Sequence, residues 1–201
     1  MAVPDNLDVD RSAVERARRD PRAFDALYRK YVAQVYSFAL YELRNPHAAE
    51  DLTAQVFLRA LAGLARFREQ HDGPDSSFRV WLFQIARNAL SNERRRVRRH
   101  PAAPIELATE YPATDDVQAT AGNRVDFERV WSVIEQLPAD RRRAIVLRFV
   151  NEMSTREIGA VLGKSEGATR VLIHRSLRAV AQQMSRSEKS GLRNGRKRAS
   201  N

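Results

Sequence analysis

The chain has 201 residues, with 35 lysines and arginines against 25 acids and a formal net charge of +10. That balance, with a pI near 10.7, points to a polyanionic partner, because each Lys or Arg laid on a phosphate releases counterions. It contains no cysteine, which excludes a disulfide framework and a thiolate zinc site.

His47, His71, His100 and His174 lie far apart in sequence with no metal-ligand spacing, so no metal and no cofactor are expected. No run of about 18 apolar residues is available to cross a bilayer, and MAVPDNLDVD is no signal peptide. No membrane insertion is expected, and the chain is placed in the cytoplasm. Without an acid cluster, a ligand set or a nucleophile–base pair, no enzyme is expected either.

Residues 1–19 are polar and charged and read as a flexible lead-in. Asp20-Pro21 then starts a helix, a capping carboxylate followed by proline at the first helical position. Phe24, Leu27, Tyr28, Tyr31, Val35 and Phe38 follow at i, i+3, i+4, i+7 spacing and make one apolar stripe of core side chains. Asn45-Pro46 starts the next helix by the same device. Within HAAEDLTAQVFLRALAGLARF (47–67), Leu52, Val56, Phe57, Ala60, Leu61 and Leu64 face inward, and Asp51, Gln55, Arg59 and Arg66 face outward. On spacing alone such a polar face is only solvated.

Residues 68–77 form a loop marked by Gly73-Pro74, and Ser77 caps a third helix. Phe78, Trp81, Leu82, Ile85 and Ala89 build its buried stripe. Arg79, Arg87, Asn88, Arg94, Arg95, Arg96, Arg98 and Arg99 load the remainder with cations and amide donors. Like charges at i, i+4 repel by a few tenths of a kcal/mol per pair, a cost that a nearby phosphate backbone relieves. Trp81 and Phe83 are the aromatics placed to stack on unpaired bases, at roughly 1–3 kcal/mol each. Core packing is the competing role, and the preferred one for Trp81.

Residues 101–122 carry prolines, alanines, threonines and acids without helical period, the mark of a linker. A second domain, 123–184, opens with Val125, Phe127, Val130, Trp131, Ile134 and Leu137, and Pro138 breaks that helix. Over 139–150, Arg141, Arg142 and Arg143 are expected outside, with Ala144, Ile145, Leu147 and Phe149 inside. Residues 185–201 read as a basic, disordered tail.

The stretch NEMSTREIGAVLGKSEGATRVLIHRSLR (151–178) reads as two short helices on a tight turn. Ser154 and Glu157 have the spacing of a capping box. Ile158, Val161 and Leu162 recur at helical spacing, Gly163 suits a turn needing positive φ, and Ser165 offers a second cap. Thr169, Leu172, Ile173 and Leu177 are expected inward, and Glu166, Arg170, His174 and Arg175 outward. A cation-rimmed helix presented N-terminus first fits a DNA major groove. An ordinary helical hairpin within a bundle is the alternative, which the basic outer face disfavours. GAVLGKS (159–165) is not a phosphate loop, since three residues rather than four separate its glycines and no strand precedes it.

Four stretches together, AEDLTAQVFLRAL (49–61), FRVWLFQIARNAL (78–90), LPADRRRAIVLRFV (137–150) and STREIGAVLGKSEGATRVLIHRSL (154–177), resemble the bacterial RNA polymerase sigma factors of extracytoplasmic-function (group IV) type. The resemblance covers about residues 21–184. It implies an all-α chain of two small helical domains, a sigma-2 three-helix bundle (20–100) and a sigma-4 helix-turn-helix (123–184), joined by a flexible linker. It implies docking of Asp51, Gln55 and Arg59 on the polymerase core, at the β′ clamp helices, with the β flap as a further contact. It assigns the −10 element to the loop at 71–77 and to Arg79, Trp81, Arg87, Asn88, Arg94, Arg95 and Arg96. It assigns the −35 element to Ser165, Glu166, Arg170, His174 and Arg175.

An anti-sigma partner and a monomeric free chain belong to the same expectation. Some positions depart from the family: Ala54-Gln55 stands where Gln-Glu is usual, removing a carboxylate from the polymerase face, Lys164 replaces an apolar residue in the turn, and Val171 and Leu172 stand where DNA-facing polar residues are usual. The last two are suited to thymine methyls or to packing on another protein.

A linker of about 20 residues, at ~3.3–3.6 Å each, reaches up to ~70 Å, and two helical turns of B-DNA also cover about 70 Å. One chain can therefore touch two promoter elements. The rival reading is a stand-alone helix-turn-helix regulator whose N-terminal domain dimerises or senses. A sigma mimic that sequesters an anti-sigma factor would have no need of the basic surfaces.

Overall fold

The computed structural model describes residues 6–68, 76–99 and 121–198, without the side chains of 6–9, 96–98, 121–127 and 187–198. Among the described residues there are eight α-helices and no strand: α1 (Asn6–Arg19), α2 (Asp25–Leu43), α3 (Pro46–Gly63), α4 (Ser77–Arg99), α5 (Ala121–Glu135), α6 (Ala139–Ile145), α7 (Thr155–Leu162) and α8 (Glu166–Arg198). None of them is long and apolar enough to cross a membrane.

The N-terminal domain is built as its apolar stripes dictate. Asp20 accepts a hydrogen bond from the Arg22 amide (3.0 Å), and one 3-10 turn, Pro21–Phe24, leads into α2. Asn45 caps α3 in the same way, accepting from Ala48 N at 2.9 Å. Leu27, Tyr31, Val35 and Phe38 of α2 are buried against Leu52, Val56 and Ala60 of α3 and Leu82, Phe83 and Leu90 of α4. Fully burying each such side chain contributes roughly 1.5–3 kcal/mol. Two expected inward residues lie at the rim: Leu61 is exposed, and Tyr28 is exposed while its ring meets Phe57 edge-on at 4.8 Å.

The supposed lead-in is corrected. Residues 6–19 form α1, whose Ala13, Val14 and Ala17 are buried, so the three-helix bundle carries a fourth helix. The buried Asp10 carboxylate accepts from Lys30 Nζ (2.6 Å) and from the Tyr31 hydroxyl (2.5 Å). Burial first, then the Asp10 charge, pushes the Tyr31 phenol well above its usual range, so it stays a donor. Arg18 donates to the carbonyls of Leu64 (3.2 Å) and Phe67, stitching α1 to the end of α3.

In the C-terminal domain, Leu147, Met153, Ile158 and Val161 are buried with Trp131 and Ile134, in an apolar cluster continuous with the N-terminal core. A single π turn, Val146–Val150, follows α6, and it turns Phe149 outward, 57% exposed, against expectation. Helix α8 continues to Arg198, so the expected disordered tail is helical backbone over much of its length. The expected linker at 101–122 lies outside the described residues except for Ala121 and Gly122, which open α5.

The two domains touch. α4 packs on α7, and α2 packs on the π turn after α6. Tyr41 of α2 and Trp131 of α5 bring their rings to 4.4 Å.

Candidate nucleic-acid interface

The turn between α7 and α8 is fixed by local chemistry. Ser154 Oγ accepts from Glu157 N (3.1 Å) and Glu157 Oε2 accepts from Ser154 N (2.8 Å), completing the capping box. Gly163 ends α7 at φ 69°, a left-handed conformation that a side chain rarely adopts. Gly159 is needed for closeness: a Cβ there would lie 2.8 Å from the Lys164 carbonyl oxygen. Ser165 Oγ then accepts from Ala168 N (3.3 Å) and starts α8.

Among the described side chains of α8, Thr169 and Ser176 are fully buried, their hydroxyls donating to the Ser165 carbonyl (2.9 Å) and the Leu172 carbonyl (2.7 Å). Leu172 and Ile173 are partly buried against the core, but Leu177, expected inside, is exposed. The free face of α8 carries Glu166, Arg170, His174 and Arg175, all exposed, with Ser165 at its N-terminus. Arg170 Nη2 and Glu166 Oε1 pair at 3.1 Å across one turn. Of the two apolar departures, Val171 stays on this face, 48% exposed, while Leu172 turns in. Exposure of a β-branched side chain among cations is the signal that separates them.

The residues expected on α4 are placed differently. Arg79 Nη2 donates to Gln34 Oε1 (2.9 Å) and to the Asn151 carbonyl, and its Nη1 lies 3.4 Å from Glu157 Oε1. Trp81 is half-buried, its ring 4.9 Å from Phe67 and 5.8 Å from Phe78, with Gly63 leaving room for its edge. Phe83 is fully buried and edge-on to Phe38 at 5.6 Å, so it is core and cannot stack on bases. Arg87 is half-buried, reaching towards Gly163, while Asn88 and Arg95 are exposed. Arg94 Nη2 bonds Glu42 Oε2 at 2.5 Å. The side chain of Arg96, and the loop at 71–75 with His71, lie outside the described residues.

Arg142 and Arg143, expected outside, are turned instead towards Glu42 of the other domain. Periodicity could not reveal this, since the partners stand 100 residues apart for Arg142.

On α3, Asp51, Gln55 and Arg59 are exposed together with Ala54 and Leu58, the last at 66%. Asp51, Gln55 and Arg59 also line a cleft of about 470 Å³ closed on its far side by Ala89, Asn92 and Glu93 of α4.

Two family models match in the same order along the chain: Sigma-70 region 2 over residues 27–100 and Sigma-70, region 4 over residues 127–180. The ECF RNA polymerase sigma factor BldN of Streptomyces coelicolor is 32% identical over 84% of this chain, which spans 63% of BldN's length. RNA polymerase sigma-H factor of Pseudomonas aeruginosa is 32% identical over 85% of this chain and 91% of its own length. The fold is shared with RpoE of Bartonella quintana, solved in complex with the anti-sigma factor NepR (TM-score 0.62, 22% identity, 81% of this chain and 96% of that one). The chain belongs to the sigma-70 family of RNA polymerase sigma factors, in its extracytoplasmic-function group.

Proposed function

We propose that this chain is a dissociable, non-catalytic subunit that directs core RNA polymerase to promoters, reading the −35 element with α8 and the −10 element with α4. The observation that carries this reading is the cationic face of α8, left exposed on a turn fixed by a capping box and Gly163. Base-edge contact is assigned to Ser165, Glu166, Arg170, His174 and Arg175, with Val171 against a thymine methyl. Arg79, Trp81, Arg87, Asn88, Arg94, Arg95 and Arg96 are assigned to the −10 element and its phosphates.

The exposed row of Asp51, Gln55 and Arg59 is assigned to the polymerase clamp, and the exposed Leu58 adds an apolar contact to the same row. Strand opening then comes from trapping unstacked bases, at a few kcal/mol per base. The N-terminal module of this reading begins with α1 and runs to about residue 100, and the C-terminal module occupies 123–184. The chain acts in the cytoplasm, where the polymerase is, and an anti-sigma factor of the kind bound to RpoE is its expected inhibitor.

The test is transcription with purified chain and core polymerase. Promoter-specific transcripts sharing one upstream pair of elements are expected. Failure to bind core, together with protection of a palindrome in the absence of polymerase, would establish the stand-alone regulator instead.

A further inference from the structure

Glu42, near the C-terminus of α2, sits where the two domains meet, its side chain fully buried. Its Oε2 accepts from Arg94 Nη2 of the same domain at 2.5 Å and from Arg142 Nη2 of the other at 3.2 Å, with Arg143 Nε at 3.8 Å. Arg94 Nη2 also donates to the Glu42 carbonyl (3.0 Å). One carboxylate is thus shared by three guanidiniums from both domains. Asp140 Oδ1 lies 3.7 Å from Arg143 Nη1 and is another carboxylate near the three guanidiniums, yet Arg143 Nε and Glu42 Oε1 are buried without hydrogen-bond partners among the described residues. Burial first, then crowding by Arg142 and Arg143, lowers the Arg94 guanidinium below its usual range despite Glu42.

A second link lies along the same seam. Arg79 of α4 is held by Glu157 and the Asn151 carbonyl of the C-terminal domain, and Asn151 Nδ2 donates to the Gln34 carbonyl (2.8 Å). Gln84 Nε2 donates to the Ala160 carbonyl (2.9 Å). The seam is mixed, with these polar links beside the Tyr41–Trp131 ring contact, and interfaces between domains that are not large and hydrophobic permit relative motion.

We infer that Glu42 occupies the place of a promoter phosphate, clasping the two domains together and withholding Arg94 and Arg79 from the −10 region until they part. The inference rests on the promoter reading proposed above. The closed chain offers the α8 face and, on α4, Arg95, while Arg79 and Arg94 are held at the seam. An incoming DNA backbone brings phosphate oxygens that compete with Glu42 for the same guanidiniums. Breaking the clasp from the carboxylate side leaves three cations facing one another, which drives the domains apart.

The test uses the full chain, whose lack of cysteine allows a donor and an acceptor dye at Ala26→Cys on α2 and Gln182→Cys on α8. Energy transfer reports closure, and a labelled 30-nucleotide mixed-sequence single strand reports access to the cations. Glu42→Gln should lower transfer and tighten binding of the strand by about tenfold at low salt, as freed arginines become available to phosphate. Glu50→Gln makes the same charge change on the exposed face of α3 and should alter neither. Arg142→Ala with Arg143→Ala opens the clasp from the other side and should also lower transfer. Adding the strand to the otherwise unaltered labelled chain should lower transfer by itself.

Transfer unchanged in both clasp variants, or domains that open with no more affinity than Glu50→Gln gives, would overturn the inference. These readouts need no polymerase. Failure of the promoter reading would appear separately, as absence of specific transcripts from the unaltered chain with core.

Discussion

The two regions assigned to DNA are left in opposite states by one fold. On α8, Glu166, Arg170, His174 and Arg175 stand exposed, and Arg170 pairs with Glu166 on the surface at 3.1 Å. On α4, Arg79 and Arg94 are each held by carboxylates, Glu157 from across the domain boundary and Glu42 at it. A surface pair contributes little, roughly 0–1 kcal/mol, whereas separating a buried pair by removing one partner costs about 3–5 kcal/mol. The contrast teaches that cations of equal count in a sequence are not equally available, and that availability is set by elements remote in the chain.

The comparison can be broken most severely through the core that holds α4. Phe83→Ala is expected to destabilise the N-terminal domain by about 3–5 kcal/mol, read as a lower denaturant midpoint. If Phe83 instead met DNA, the substitution would weaken strand binding at unchanged stability. Trp81→Ala, being half-buried, should do both, with a smaller loss of stability than Phe83→Ala.

On the exposed side, Arg170→Ala and Arg175→Ala should each weaken promoter binding by about 1–3 kcal/mol per base contact, with core binding and melting temperature unchanged. A holoenzyme affinity assay on duplex promoter fragments checks this. Ser154→Ala removes one half of the capping box and should cost about 1 kcal/mol, seen as a lower melting temperature of the C-terminal domain. Smallest is the pair that sharpens the α8 face itself. Leu172→Ser should lower stability, because Leu172 packs on the core. Val171→Ser should leave stability unchanged and remove the preference for thymine over deoxyuridine at one −35 position, a few-fold effect measured by competition binding.

Much of this molecule was legible in its residues because the signals are local. Ser154, Glu157 and Gly163 lie within ten positions of one another and specify the turn by hydrogen bonds and one backbone conformation. The stripes of α2, α3 and α4 follow from period alone. What escaped is what depends on distance in the chain or on short stripes. Among its described side chains α1 buries small apolar ones, Ala13, Val14 and Ala17, and its buried acid Asp10 reads as a surface residue until Lys30 and Tyr31 are seen to hold it. Arg142 and Arg143 look solvated beside Arg141, and only the fold reveals Glu42 facing them. Phe149 and Leu177 fit a helical stripe, yet both lie at the surface, Phe149 within the π turn. Of the residues assigned to DNA, the four on α8 stand exposed with Ser165 at its N-terminus, whereas the α4 set is divided between solvent, core and the domain boundary.

The claim that most of this depends on is that α4 and α8 address separate stretches of a single promoter. A DNA-cleaving iron chelate attached at Arg99→Cys or at Arg178→Cys, both exposed sites in a chain without cysteine, measures it in the complex with core polymerase. Two cleavage zones about two helical turns apart, about 20–21 base pairs, with the Arg99 zone downstream, are the predicted result. Cleavage by both probes at one zone, or the same pattern without polymerase, would contradict the account.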